Sequence, residues 1–307
     1  MKPYIAGIDI GGTRVKLGVI DRQGRVLASD VYPTEKHSEQ AFLDQMAARL
    51  DSVLKAAGIA KEQLAGAGVS IGSFVFAPGG EIDGMSEFVP FFVSGYPLRE
   101  KLEQALGLAC RVDNDARLIC MAEAVYGAGR DFDRVLTLTL GTGVGVGLCA
   151  GGKATEAQAV MHLAGHILVR GQNEAPWLDE PPCYCGQTGC LESTCSGTSL
   201  QKYVQHELGP DATCESMFRA AAEGDEKALA CARWYVDMLA KGLNQYVYVY
   251  CPDVIVLGGG VAKSLGPWLP VLEQKLCAQV HSRQHTQLRL AQLEENAGVL
   301  GAAAQFL

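Results

Sequence analysis

Apolar residues along this chain recur with two periods, and the alternation between them predicts strands and helices in turn. Tyr4 to Ile10 is a β-rich run carrying Asp9 near its end. Val15 to Asp21 is a second, with Gly11-Gly12-Thr13 between them and Gly24 at the next turn, so the pair reads as a hairpin. From Ser38 to Ala57 the period changes. Phe42, Met46, Leu50, Val53 and Leu54 recur at three- and four-residue spacing, which predicts an amphipathic helix closed by Gly58. Leu64 to Val75 returns to strand, and Ala77-Pro78-Gly79-Gly80 reads as a turn. The stretch Phe88 to Tyr96 carries four aromatics and is either a core plug or one wall of a substrate pocket. A short helix over Pro97 to Leu106, a strand over Cys110 to Val112 and a helix over Arg117 to Tyr126 follow.

The second half starts with another glycine-rich hairpin, Val135 to Leu148, in which Gly141, Gly143, Gly145 and Gly147 alternate with other residues. Glu226 to Val249 predicts a long helix with Leu229, Ala232, Tyr235, Val236, Leu239, Leu243 and Tyr246 on one side, stopping at Cys251-Pro252. Asp253 to Leu257 reads as a buried, parallel-type strand running into Gly258-Gly259-Gly260, the kind of turn at which doubly wound sheets bind nucleotides. The tail, Gly298 to Leu307, reads as a small apolar helix that packs back on the first half. The whole is an α/β pattern, and its two glycine hairpins are the nearest thing to an internal repeat. They fit two related α/β domains facing a common cleft.

Composition narrows the class. With 307 residues, 48% hydrophobic and 20% charged, the chain can bury a large core and has room for two lobes. A formal net charge of −8 argues against sequence-independent binding to nucleic acid, which needs basic surface to displace counterions. The start, Met1-Lys-Pro-Tyr, lacks the apolar run of a signal peptide, and no stretch approaches the roughly 18 apolar residues of a membrane span. A cytoplasmic protein with no membrane partner is expected. Eleven scattered cysteines then read as reduced thiols or metal ligands rather than a disulfide framework.

Candidate chemistry centres on the stretch from Arg111 to Gly147. Asp113-Asn114-Asp115 at a strand end is either a solvated turn and helix cap or a site for proton transfer. Alternating glycine weakens a strand, so the ladder from Gly141 to Gly147 implies close backbone approach by a ligand. Gly11 and Gly12 would let backbone N–H groups reach phosphate oxygens, with Thr13 adding a hydroxyl and Lys16 a charge; the alternative is a tight hairpin without a ligand. Joined by one predicted helix, a carboxylate and a phosphate loop point to phosphoryl transfer from a nucleotide to a sugar hydroxyl. Separately, Cys183, Cys185 and Cys190, in a run holding two glycines, could fold three thiolates around one ion, and His166 would complete a tetrahedron. Four protein ligands leave no place for a reactive water, so the expected Zn²⁺ is structural. Cys195 is spare by this count and is expected to pack.

Taken together, these motifs resemble the sugar kinases of the ROK family, within the actin and hexokinase-like superfamily. The resemblance runs almost end to end and rests on Asp9-Ile-Gly-Gly-Thr13, Asn114-Asp115-Ala116, Leu140-Gly-Thr-Gly-Val-Gly145, Gly165-His166, the Cys183 to Glu192 run and Leu257-Gly-Gly-Gly260. It implies two ribonuclease-H-like (actin-like ATPase) domains around an interdomain cleft: a smaller lobe of residues 1–116 plus 293–307, and a larger one of 117–292 carrying the zinc loop. It implies Asp115 as general base, with Asn114, Asp115, His166 and Glu192 holding sugar hydroxyls. ATP would lie with its phosphates along Gly11, Gly12, Thr13, Lys16, Gly141, Thr142 and Gly143, Mg²⁺ near Asp9, and adenosine toward Gly258, Gly259 and Gly260. A homodimer is implied as well. The chain departs from the family pattern at Leu163, where Glu is usual three residues before the zinc histidine, at Gly72-Ser73 in place of Pro-Gly, and at Pro90-Phe91 in place of Pro-Asn. All three lie on the sugar side. The Cys183 to Cys195-Ser-Gly run is similar to that of bacterial allose kinases, which points to an aldohexose; a fructose or N-acetylhexosamine kinase and a non-catalytic sugar or nucleotide sensor are the alternatives.

Overall fold

The computed structural model describes residues 2–76, 79–85, 88–154, 161–171, 173–279 and 285–307. Strands β1 (Tyr4–Ile10) and β2 (Arg14–Asp21) form the expected antiparallel hairpin, in register from Tyr4↔Asp21 to Ile10↔Val15. β3 (Val26–Pro33) then adds an edge strand that the apolar pattern does not announce. Leu27 and Val31 face outward, exposed, so the usual polar-out alternation is missing. Helix α1 (Glu39–Ala57) starts where Ser38 Oγ accepts from the Ala41 N–H and ends at Gly58, whose left-handed backbone donates to Leu54 and Lys55 carbonyls. It lays Phe42, Met46 and Leu50 on the sheet.

The expected strand over Leu64 to Val75 is two pieces, β4 (Leu64–Ile71) and β5 (Val75–Phe76), because the chain leaves the sheet at Gly72; β5 pairs instead with β6 (Glu81–Ile82). Ala77 and Pro78 of the expected turn lie outside the described residues. In the aromatic stretch, Phe92 and Tyr96 join the core around Phe42, whereas Phe88 is exposed and its ring would meet a Cβ on Gly12 at 3.0 Å. α2 (Leu98–Leu106) and β7 (Cys110–Asn114) lead to α3 (Asp115–Val125). This helix starts at Asp115 rather than at Arg117, since Asn114 is its cap. The first sheet has the order β3-β2-β1-β4-β7, with β1, β4 and β7 parallel.

The second sheet has the order β10-β9-β8-β11-β12, built from β8 (Arg134–Leu140), β9 (Val144–Ala150), β10 (Lys153–Ala154), β11 (Val254–Gly258) and β12 (Gln287–Leu290). β11 is fully buried and parallel to both β8 and β12, as its unbroken apolar run requires. Between β10 and β11 come α4 (Leu191–Cys195), α5 (Gly197–Leu208), α6 (Cys214–Ala222) and α7 (Glu226–Tyr250); α8 (Leu269–Gln279) precedes β12. α7 buries Tyr235 and Tyr246, whose hydroxyls donate to the Cys195 and Ala164 carbonyls. Cys195 is buried, as expected of a packing residue.

Contacts divide the chain into two units. One holds residues 1–130, 147–161 and 293–307; the other holds 131–146 and 162–292. The first unit takes in α3 because that helix packs on α9 (Ala297–Ala304), the terminal helix, which also lies on β1 and β4. Glycine sets how near it comes. A Cβ on Gly68 would lie 1.7 Å from the Ala302 carbonyl oxygen, and one on Gly301 would lie 1.9 Å from that of Leu118. Among the described residues no helix is long and apolar enough to cross a membrane.

Candidate functional site

In the first unit the parallel strands place their carboxyl ends side by side. Asp9 pairs with Ser70, and Ile71 with Asn114, so Asp9, the loop after β4 and the start of α3 share one edge of the sheet. Ser70 Oγ donates to Asp9 Oδ1 at 2.9 Å. Burial raises the Asp9 pKa, against the pull of that hydrogen bond and of Lys16 and Arg14. Asp115 is the first residue of α3, where its Oδ1 accepts from the Ala116 N–H at 2.8 Å. Burial pushes its carboxyl up to about 6, and the neighbouring charge of Asp9 adds to the shift. The space over this carboxylate is left by Gly72, whose missing Cβ would stand 3.4 Å from Asp115 Oδ2. Asn114 is buried and bonded at both ends of its amide: Oδ1 accepts from the Ala116 and Arg117 N–H groups, and Nδ2 donates to the Ser73 carbonyl at 3.1 Å. Its amide thereby ties the helix start to the loop after β4.

The β1–β2 turn is tight. The Gly11 N–H closes it by donating to the Arg14 carbonyl at 3.0 Å, and the Gly11 carbonyl accepts from Thr34 Oγ1 at 2.7 Å. The Thr13 carbonyl accepts from the Thr34 N–H, and Lys16 Nζ donates to the Glu295 carbonyl at 2.9 Å. Gly12 and Thr13 are left at the tip of the turn.

The second unit repeats the arrangement at the ends of β8 and β11, where Thr139 pairs with Gly258. Gly259 has φ +88°, and a Cβ there would lie 2.5 Å from the Leu140 carbonyl oxygen, so only glycine passes. Gly141, Thr142 and Gly260 line a cavity of about 1060 Å³ together with Gly197, Gln201 and Lys263. Sequence reasoning missed the α5 contribution. Its signal was Ser196, which caps α5 through its hydroxyl, ahead of buried Leu200 and Val204. Glu192 reaches the same hairpin: its Oε2 accepts from the Val144 N–H at 3.1 Å and stands 3.0 Å from where a Cβ on Gly143 would be. Gly143 thus makes room for a side chain of this chain.

His166, Cys183, Cys185 and Cys190 come together with all four ligand atoms within 4.8 Å of one another. Cys183 Sγ and Cys190 Sγ are 3.7 Å apart and stand 3.6 and 3.7 Å from His166 Nδ1. Zinc bonds of about 2.3 Å to sulfur and about 2.0 Å to nitrogen give tetrahedral edges of about 3.8 Å (S–S) and about 3.5 Å (S–N). The donor set fits zinc in its chemistry, and the spacing of His166, Cys183 and Cys190 matches tetrahedral edges, with Cys185 Sγ within 4.8 Å of them. A buried ion pair supports it. Arg170 and Asp179 meet at 2.6 Å, Asp179 Oδ1 accepts from the Gly189 N–H and Ser193 Oγ, and the Ser193 N–H donates to Cys190 Sγ. His166 Nε2 lies 2.7 Å from the Tyr184 hydroxyl. Burial first, and then the charge of Glu192, push that phenol up to about 12.

A profile of the ROK family matches residues 5–307. The chain belongs to the ROK family. This ROK chain is 30% identical over 320 residues to the glucokinase of Halalkalibacterium halodurans, covering 97% of the chain and 93% of that protein. It is 30% identical over 304 residues to the N-acetyl-D-glucosamine kinase of Shigella flexneri serotype 5b, covering 97% of each. Its fold matches the crystal structure of the ROK hexokinase from Thermus thermophilus with a TM-score of 0.84 and 29% identity, over 98% of this chain and 97% of that one. The ROK fold, two actin-like ATPase domains, agrees with the fold class read from the sequence.

Proposed function

We propose that this ROK protein, an ATP-dependent sugar kinase, phosphorylates a hydroxyl of an aldohexose with Asp115 as general base. One observation carries the reading: a carboxylate at the first position of α3, beside Asp9, whose pKa of about 6 suits a base that is ionised yet still able to hold a proton near neutral pH. In the reaction, Asp115 takes the proton of the attacking hydroxyl as its oxygen bonds to the terminal phosphorus and the bond to ADP breaks. The Gly12 and Thr13 N–H groups and the Gly141 to Gly143 hairpin lie along the phosphates, and the cavity at Gly260 takes the adenosine. Mg²⁺, held by Asp9, supplies neutralisation of phosphate charge when bound. Asn114, Glu192 and His166 hold other sugar hydroxyls, and Asn114 also fixes the start of α3. Zn²⁺ is assigned to His166, Cys183, Cys185 and Cys190 as a structural ion that keeps His166 and Glu192 in place. A cytoplasmic homodimer is the expected form.

A second reading, an N-acetylhexosamine kinase, is favoured by the similarity to N-acetyl-D-glucosamine kinase. A third, a sensor without turnover, is motivated by Leu163 standing where the family usually has Glu. An ADP-release screen over aldohexoses, ketohexoses and N-acetylhexosamines separates them. Turnover highest with an aldohexose supports the proposal; turnover highest with an N-acetylhexosamine supports the second reading. ATP binding without turnover on any sugar supports the sensor and ends the proposal.

A further inference from the structure

Tyr184 stands between two of the cysteines of the metal cluster, and 73% of it is exposed. Apolar burial therefore does little to hold it. Two contacts orient it instead: its hydroxyl lies 2.7 Å from His166 Nε2, and its ring stands edge-on to the imidazole with centroids 4.7 Å apart. The other ring nitrogen, Nδ1, faces the sulfurs of Cys183 and Cys190. A nitrogen that gives its lone pair to a metal carries no proton, so the proton of the neutral imidazole resides on Nε2. Nε2 then donates, and the Tyr184 oxygen accepts. A phenol keeps its proton at neutral pH, so that oxygen still has an O–H to donate and a lone pair to offer.

We infer that Tyr184 contacts the sugar and sets which sugars bind: its hydroxyl, held by His166 Nε2–H, makes the hydrogen bond to the sugar hydroxyl assigned to His166, so that His166 holds that hydroxyl through the phenol. The inference rests on the sugar-kinase reading of His166 and Glu192. On that reading the sugar meets two kinds of group, the acceptor-only carboxylate of Glu192, two residues past Cys190, and the donor–acceptor hydroxyl of Tyr184. Two free hydroxyls on a sugar match this pair. One donates to Glu192, and the other exchanges hydrogen bonds with Tyr184. An N-acetyl group at either carbon removes a hydroxyl and brings bulk toward the phenol ring, so an unsubstituted hexose is favoured over an N-acetylhexosamine.

The test uses the zinc-loaded protein and two variants, Tyr184→Phe and Tyr184→Ala. For each, kcat and KM are measured with the best hexose and with N-acetylglucosamine, along with the KM for ATP, zinc content, and hexose affinity by calorimetry without nucleotide. Loss of one hydrogen bond to the sugar raises the hexose Kd and KM of Tyr184→Phe about tenfold. The kcat, the KM for ATP and the zinc content stay close to wild type. Tyr184→Ala is expected to raise the kcat/KM ratio of N-acetylglucosamine to hexose by about tenfold, because the ring that excludes the acetyl group is gone. Unchanged hexose affinity in Tyr184→Phe with zinc retained overturns the inference and leaves the kinase reading standing. Lost zinc in that variant also overturns it, since the phenol would then support the metal loop. Absence of turnover by the wild-type protein on every sugar ends both.

Discussion

The two units hold their candidate groups by different means. In the first, Asp9 and Asp115 sit at the ends of parallel strands whose register is fixed by a closed apolar core, and α9 presses on that sheet through glycine contacts at carbonyl distance. In the second, His166 ends a short 3₁₀ turn and the three cysteines lie in the segment leading into α4, with Leu168 and Tyr184 exposed beside buried Cys190 and Leu191. The buried Arg170–Asp179 pair and the four metal-binding atoms add polar ties to that packing. A carboxylate that must take a proton needs a fixed and partly desolvated position, which a sheet edge provides. A surface that must fit one sugar among many can be set by a loop, provided that something stiffer than hydrophobic contact holds it. The departures that the resemblance places on the sugar side do not follow this division: Gly72-Ser73 and Pro90-Phe91 lie in the first unit and Leu163 in the second.

The contrast can be broken at either end. The largest effect is expected from Asp115→Asn, which should lower kcat by about 10²–10⁴-fold in an ADP-release assay. Thermal stability should not fall with it. A carboxyl whose folded-state pKa is raised contributes stability that is full below its unfolded pKa and lost as pH rises toward about 6, so at pH 7 the ionised group is a burden that asparagine removes. Next comes Cys183→Ser combined with Cys185→Ser. Zinc should fall from about one per chain to none by elemental analysis, and sugar kcat/KM should fall by about 10–100-fold. ATP affinity should hold, because the cavity at Gly260 is lined by other residues. The smallest catalytic effect is expected from Gly68→Ala, which forces a Cβ into the Ala302 carbonyl. It should lower stability by about 1–3 kcal/mol in urea unfolding, with zinc content unchanged.

Much of the first unit was legible because its signals are local. Ser38 and Gly58 bracket α1, and the β1–β2 hairpin follows from two β-rich runs and a glycine turn. The three cysteine candidates were legible from their local density, with His166 added to complete the set, and the structure brings all four together. What stayed hidden depends on contacts distant in sequence. Gly143 reads as a phosphate-loop glycine, yet it also makes room for Glu192, and Gly68 is demanded by a helix at the far end of the chain. β3 was missed because Leu27 and Val31 put apolar residues on its exposed face. α4, α5 and α6 were passed over although Ser196 and Thr213 cap two of them through side-chain oxygens. Their capping signals were present, but their apolar stripes are short.

The claim that Asp115 accepts the proton is tested most directly by the pH dependence of kcat/KM for the wild-type protein and Asp115→Asn, side by side. The account requires wild-type kcat/KM to fall about tenfold per unit below pH 6 and the variant's low residual rate to show no such limb. An acid limb of the same midpoint and depth in both proteins would contradict it.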